Sequence, residues 1–257
     1  MFQGIPREAF DFLLGIRLNN NEAYYKDHLE DYEKTLKGPL RELCRELAPV
    51  IQGIDPRLDV RPGSVMSRLR RDTRFTRDKA PFRDNAWLGW RYPGERRSEG
   101  FHMWWGFSPE WMGWGGGSYS LNRPLMDALR AKILSDPEEV RALFSAPGLS
   151  GRYVVYGEVY KKMSVPDAVP QELKELYRMK YFGISRDAPQ EEWARMQSPD
   201  FVGEMVRELT AMAPLMNFMR DLSLQVEAPQ AEEPEKTEAD APRTGKLVVH
   251  AADEFEF

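Results

Sequence analysis

Ala86-Trp87-Leu88-Gly89-Trp90-Arg91-Tyr92, Phe101-His102-Met103-Trp104-Trp105-Gly106-Phe107 and Trp111-Met112-Gly113-Trp114-Gly115-Gly116-Gly117-Ser118 are short aromatic runs separated by Gly, Pro and polar residues. Runs of this length between turn residues predict β-strands. The connection Ser108-Pro109-Glu110 is short, which favours antiparallel neighbours. Six of the seven tryptophans lie here, between Trp87 and Trp114. Alternation along a strand sends Trp104 and Trp105 to opposite faces, and likewise Trp87 from Trp90 and Trp111 from Trp114. Both faces of the sheet therefore carry indoles. One face can pack on helices; the other is either covered as well or left as an aromatic floor for a ring-bearing ligand.

Outward from this block, the pattern changes to helical spacing. Pro6 to Leu18, Glu22 to Leu36 and Pro39 to Ile51 read as helices, with Asn19-Asn20-Asn21 as break and cap. Gly53 to Gly63 reads as a connector, and Ser64 to Arg71 as a further strand. Downstream, Asn122 and Asp136 each precede a Pro and predict two helix starts. Arg152 to Tyr160 and Met179 to Ser185 read as strands. Pro170 to Tyr177, Pro189 to Met196 and Pro199 to Met219 read as helical. The expectation is an α+β fold: a central, mainly antiparallel sheet packed with N-terminal and C-terminal helices, in a single domain over 1–225.

The chain has 257 residues and one cysteine, Cys44, so neither an intrachain disulfide nor a cysteine-built zinc site is available. No apolar run approaches a membrane span, and no apolar leader follows Arg7-Glu8, so a cytoplasmic protein is expected. The net charge of −5 is unevenly spread. Residues 226–257 hold nine acids and three bases, whereas Arg57 to Glu99 holds twelve bases and six acids. Rich in Glu, Ala and Pro, the tail 226–257 reads as disordered. It could solubilise the chain, compete for the basic segment or dock on a protein partner.

The densest charge lies in Arg68-Leu69-Arg70-Arg71-Asp72-Thr73-Arg74-Phe75-Thr76-Arg77-Asp78-Lys79-Ala80-Pro81-Phe82. Counting parity from Val65 and Leu69 puts Arg71 on the core side, where a guanidinium needs a partner such as Asp72 or Asp78. This stretch resembles a family of conserved hypothetical proteins, domain of unknown function 2461, whose signature is similar to R-x-x-R-D-x-R-F-x-x-D-K-x-x-Y. Phe82 stands where the family usually has Tyr. Phe2-Gln3-Gly4-Ile5-Pro6, Asn20-Asn21 with Tyr24-Tyr25, Gly115-Gly116-Gly117 with Arg130, and Lys180-Tyr181-Phe182 extend the likeness over about 2–220. The resemblance implies an α+β fold and no established activity.

An excess of arginine beside aromatic side chains suits a phosphate- or carboxylate-bearing ligand. The expected site comprises Arg68, Arg71, Asp72, Arg74, Asp78 and Lys79, joined by Arg130 and Lys180. Trp90, Trp104, Trp105 and Phe82 are expected as its aromatic wall. No cofactor is expected. Three alternatives stay open: nucleic-acid binding, phosphoester chemistry with Mg²⁺ on Asp72, Asp78 and Asp84, and an interaction scaffold in which the motif is structural. Whether the chain is an enzyme stays open too. His102 and Cys44 read as packing residues.

Overall fold

A computed structural model describes residues 1–74, 76–95 and 100–226. The aromatic block forms strands β1 (Ala86–Trp90), β2 (His102–Ser108) and β3 (Trp111–Gly117). Two later strands, β4 (Val154–Val159) and β5 (Met179–Asp187), complete a five-stranded antiparallel sheet in the order β1-β2-β3-β5-β4. β4 pairs with β5 from Val154↔Ser185 to Val159↔Met179, with an irregularity between Glu158 and Val159.

Helix α1 is Glu8–Leu18, and α2, Glu22–Asp27, starts at Asn21, whose side chain accepts from the Tyr24 N–H. The single helix expected over Glu22 to Leu36 is divided: α3 spans Leu29–Asp31, a π-helical stretch spans Tyr32–Lys37, and α4 spans Gly38–Ile54. Pro39 has no N–H to donate to the preceding turn, and the Gly38 N–H bonds to the Glu33 carbonyl, five residues back. A Cβ on Gly38 would sit 2.8 Å from that carbonyl oxygen, so the wide turn suits glycine.

The strand expected over Ser64 to Arg71 is not formed. Pro62 instead opens the short helix α5, Pro62–Val65. In the chain beyond it the strand-like pairing is reduced to two isolated bridges, Met66↔Leu88 and Arg70↔Phe82. Helices α6 (Arg123–Ser135) and α7 (Pro137–Phe144) start where expected, capped by Asn122 and Asp136. The later stretches are partly 3₁₀: Gln171–Leu173 precedes α8 (Lys174–Arg178), and Gln190–Gln197 is 3₁₀ throughout. The last helix, α9, runs from Phe201 to Gln225, past the expected end. The acidic tail lies outside the described residues.

The chain divides into two compact units. The first comprises Met1–Pro93, Trp104–Trp114 and Asp187–Leu209. In it, Phe107 meets Phe10 of α1 at 5.3 Å between ring centres, and Trp105 meets Phe201 of α9 at 5.3 Å. The Trp114 indole N–H points at the Met205 sulfur, 3.2 Å away. Trp105, Phe107 and Trp114 thus mark the sheet face buried beneath helices. The second unit comprises Gly94–Met103, Gly115–Arg186 and the chain from Thr210. Phe182 centres its core, against Phe101 at 5.1 Å and Phe144 at 5.9 Å.

Candidate functional site

The arginine stretch forms a closed loop on the first unit. Backbone bonds from Arg71 N–H to Pro81 O (2.9 Å) and from Arg83 N–H to Leu69 O (2.8 Å) flank the Arg70↔Phe82 bridge and close its neck. Asn20 extends this pairing. Its amide oxygen accepts the Phe82 N–H and its amide nitrogen donates to the Phe82 carbonyl, both at 2.9 Å. Arg70 forms a two-pronged ion pair with Glu22, while its guanidinium lies 5.0 Å from the Phe82 ring centre and 5.6 Å from that of Tyr25. Tyr25 and Phe82 stack at 4.6 Å. The Phe82 ring is 1% exposed, so the position is a packing one here.

Inside the loop, most charges serve the loop itself. The Arg71 side chain is 7% exposed and bonds the Asp78 carboxylate at 2.7 Å, as parity suggested. Asp78 also accepts the Ala80 N–H at 2.9 Å. The Thr76 hydroxyl donates to the Asp78 carbonyl at 2.7 Å, and the Lys79 ammonium to the Thr73 carbonyl at 2.7 Å. Asp72 accepts the backbone N–H of Arg74 at 3.1 Å and grips its guanidinium through Nε at 3.0 Å and NH2 at 2.7 Å. Three cations are left over. Among the described residues, Arg68 and Arg77 are exposed and form no ion pair, and Lys79 bonds only to a carbonyl.

The Asp72–Arg74 device recurs. Asp55 holds Arg57 and Asp59 holds Arg61 in the same way, each carboxylate taking the backbone N–H two residues on at 2.9 Å and the NH2 group at 2.6 Å. Side-chain hydrogen bonds from Arg57 and Arg74 draw the Asp55 and Asp72 carboxyls down to about 2, and Arg61 draws Asp59 down further. The buried Asp55 also accepts from the Tyr92 hydroxyl at 2.8 Å. A carboxyl lowered on folding stabilises the protein fully above its unfolded value near 4, and loses that contribution as pH falls through its folded value. The unfolding free energy, measured by urea melts, should therefore fall between about pH 4 and pH 2, and Asp55→Asn should flatten that part of the curve.

The profile of a family described as "Conserved hypothetical protein (DUF2461)" matches residues 8–218. The chain belongs to this family. No curated protein matches it. The DUF2461 match spans the whole loop together with Arg130 and Lys180, and leaves out residues 1–7 and the acidic tail.

The remaining expected site residues fall as follows. Trp90 and Trp105 are 0% exposed and fill the core of the first unit. Trp104 is 8% exposed and leans on Trp111 at 5.7 Å, on the opposite sheet face from Trp105. Arg130 and Lys180 belong to the second unit. There the Arg130 Nε donates to the Tyr177 carbonyl at 2.8 Å and NH2 to that of Met179 at 2.6 Å, tying α6 to the start of β5. Lys180 pairs with Glu158 across β4 and β5 at 2.9 Å. His102 is buried, its Nδ1 3.0 Å from the Gly100 carbonyl. Cys44 is buried too, which pushes its thiol up to about 12.

The carboxylates considered for Mg²⁺ are each already opposite a guanidinium: Asp72 with Arg74, Asp78 with Arg71, and Asp84 with Arg17 at 2.7 Å. Among the described residues no group of three or more His, Cys, Asp or Glu side chains converges as a metal site would.

Three residues of the loop and its anchors stand outside the expected site set: Asn20, Glu22 and Arg77. The first two act across 62 and 48 residues of chain, which no local pattern reveals. The paired Asp-x-Arg spacing was visible in the sequence and is the signal that separates Arg74 from Arg68 and Arg77.

Proposed function

We propose that the loop between Arg68 and Arg83 binds a small anionic ligand bearing phosphate or carboxylate, through Arg68, Arg77 and Lys79. One observation carries the reading. Seven cationic residues share this stretch with two carboxylates, and those carboxylates are spent on Arg71 and Arg74. Arg68, Arg77 and Lys79 therefore stand exposed without an opposing carboxylate among the described residues. Such groups gain most from an incoming anion, because no existing pair must be broken. In this reading Arg71, Asp72, Arg74 and Asp78 shape the loop rather than touch the ligand, and no cofactor is required for binding.

A thermal-shift panel of nucleotides, sugar phosphates, polycarboxylates and inorganic pyrophosphate tests it. A ligand at a hundred times its dissociation constant adds about 2.7 kcal/mol, enough to move the midpoint clearly. At least one small anion is expected to stabilise the full chain, and the shift should vanish in an Arg68→Ala, Arg77→Ala, Lys79→Ala triple variant. A panel without any shift, or a shift kept by that variant, would overturn the assignment. Response only to long DNA or RNA, with a steep loss in salt, would favour a nucleic-acid partner instead.

A further inference from the structure

Strands β1, β2 and β3 each carry Trp-x-Gly: Trp87-Leu88-Gly89, Trp104-Trp105-Gly106 and Trp111-Met112-Gly113. Alternation puts the Trp and the Gly of each pair on one face. Two observations place all three on the same face, opposite the one covered by α1 and α9. A Cβ built on Gly106 would lie 2.9 Å from the Trp87 Cβ and 3.3 Å from the ring atom Cζ3 of Trp111. Trp104, two residues before Gly106, packs against Trp111 with ring planes 38° apart. Three neighbouring strands thus form a floor on which indoles lie beside glycines. The missing side chain at Gly106 is what lets the Trp111 ring settle onto the backbone. Trp87 and Trp111 stay partly exposed, whereas Trp90, Trp105 and Trp114 on the covered face are 0% exposed.

The rim supplies the polar chemistry. The Trp111 Nε1–H donates to Asp187 Oδ1 at 2.7 Å, which fixes the ring's orientation. Asp187 is exposed and makes no other hydrogen bond or ion pair among the described residues, so Oδ2 is open. An unneutralised carboxylate beside an indole face repels phosphates and carboxylates and accepts hydroxyl donors. The rings are splayed by 38° rather than set as the perpendicular walls of a box, so they fit a flat ring better than a compact cation.

We propose that the partly exposed Trp87 and Trp111, with the buried Trp104 on the strand between them, form a platform for a neutral sugar ring, whose apolar C–H face lies on the two outer indoles while a hydroxyl donates to Asp187 Oδ2. The site is distinct in residues and in charge from the cationic loop.

The test titrates cello-, chito- and malto-oligosaccharides into the full chain, followed by tryptophan emission, with choline as a cationic comparison. One neutral series is expected to give a saturable change that salt barely alters. Asp187→Ala should weaken it about tenfold or more, and Trp111→Ala should abolish it. Asp187 is exposed, so its variant reads binding even if Trp111→Ala does not fold. The Arg68, Arg77, Lys79 triple variant should bind sugar normally, which separates this site from the anion loop. No saturable response below about 10 mM, a response to choline alone, or unchanged binding by Asp187→Ala would each overturn the proposal.

Discussion

Replacing Arg130 with alanine is expected to lower the unfolding free energy by about 3–5 kcal/mol while leaving anion affinity unchanged. The side chain is 9% exposed, and its guanidinium satisfies two backbone carbonyls and Asp127, the last at 2.6 Å. Its cation also lies 5.8 Å from the Tyr160 ring centre. Truncation strands the buried Met179 carbonyl at about 1–3 kcal/mol, leaves the half-buried Tyr177 carbonyl without its donor and removes the packing of the stem. Arg130→Met should recover part of the loss, since it restores volume without donors. Urea unfolding of the three proteins reads the difference. A loss below about 1 kcal/mol, together with weaker anion binding, would instead place Arg130 in the ligand site.

Arg71→Ala is the second large effect. This guanidinium is buried, yet its partner Asp78 is 45% exposed, so the cost falls below that of a fully buried pair, at about 2–4 kcal/mol. Loss of the pair also frees Asp78 from the position in which it holds the Ala80 N–H. The loop between its closing bonds should then open to trypsin, with faster cleavage after Arg74, Arg77 and Lys79. Arg71→Lys should rescue only part of the loss, because both bonds leave the single nitrogen NH1 and the lysine ammonium ends one bond short of it. By contrast Arg74, 75% exposed, sits at the end of a surface pair, and Arg74→Ala should stay within about 1 kcal/mol of the parent. Equal protease resistance of parent and Arg71→Ala would contradict the structural role assigned to this arginine.

The strand block was readable because its runs are short, aromatic and fenced by turn residues, and because Asn21, Asn122 and Asp136 cap helices by local chemistry. Arg71 was placed inward by parity, although the premise was only half right. Val65 turns out to end a helix, and it is the Arg70↔Phe82 bridge that sends Leu69 and Arg71 to one side. Parity also separated the tryptophans correctly into two faces. It does not say which face the helices cover: the expected wall residues Trp90, Trp104, Trp105 and Phe82 are all buried, whereas Trp87 and Trp111 are the partly exposed pair. The anchors of the loop were illegible for another reason. Asn20 and Glu22 reach Phe82 and Arg70 only after the chain has folded back, and the sequence holds no trace of that return.

The division of the arginine motif into cations that build the loop and cations that meet the ligand is tested most directly by calorimetric titration. Inorganic pyrophosphate, which carries no ring or hydroxyl to recruit other surfaces, is titrated into the parent, the Arg68, Arg77, Lys79 triple alanine variant and Arg74→Ala. Saturable binding by the parent is predicted, with the triple variant weakened about tenfold or more at an unchanged unfolding midpoint and Arg74→Ala nearly as tight as the parent. Absence of binding to the parent, or a triple variant that binds as the parent does, would contradict it.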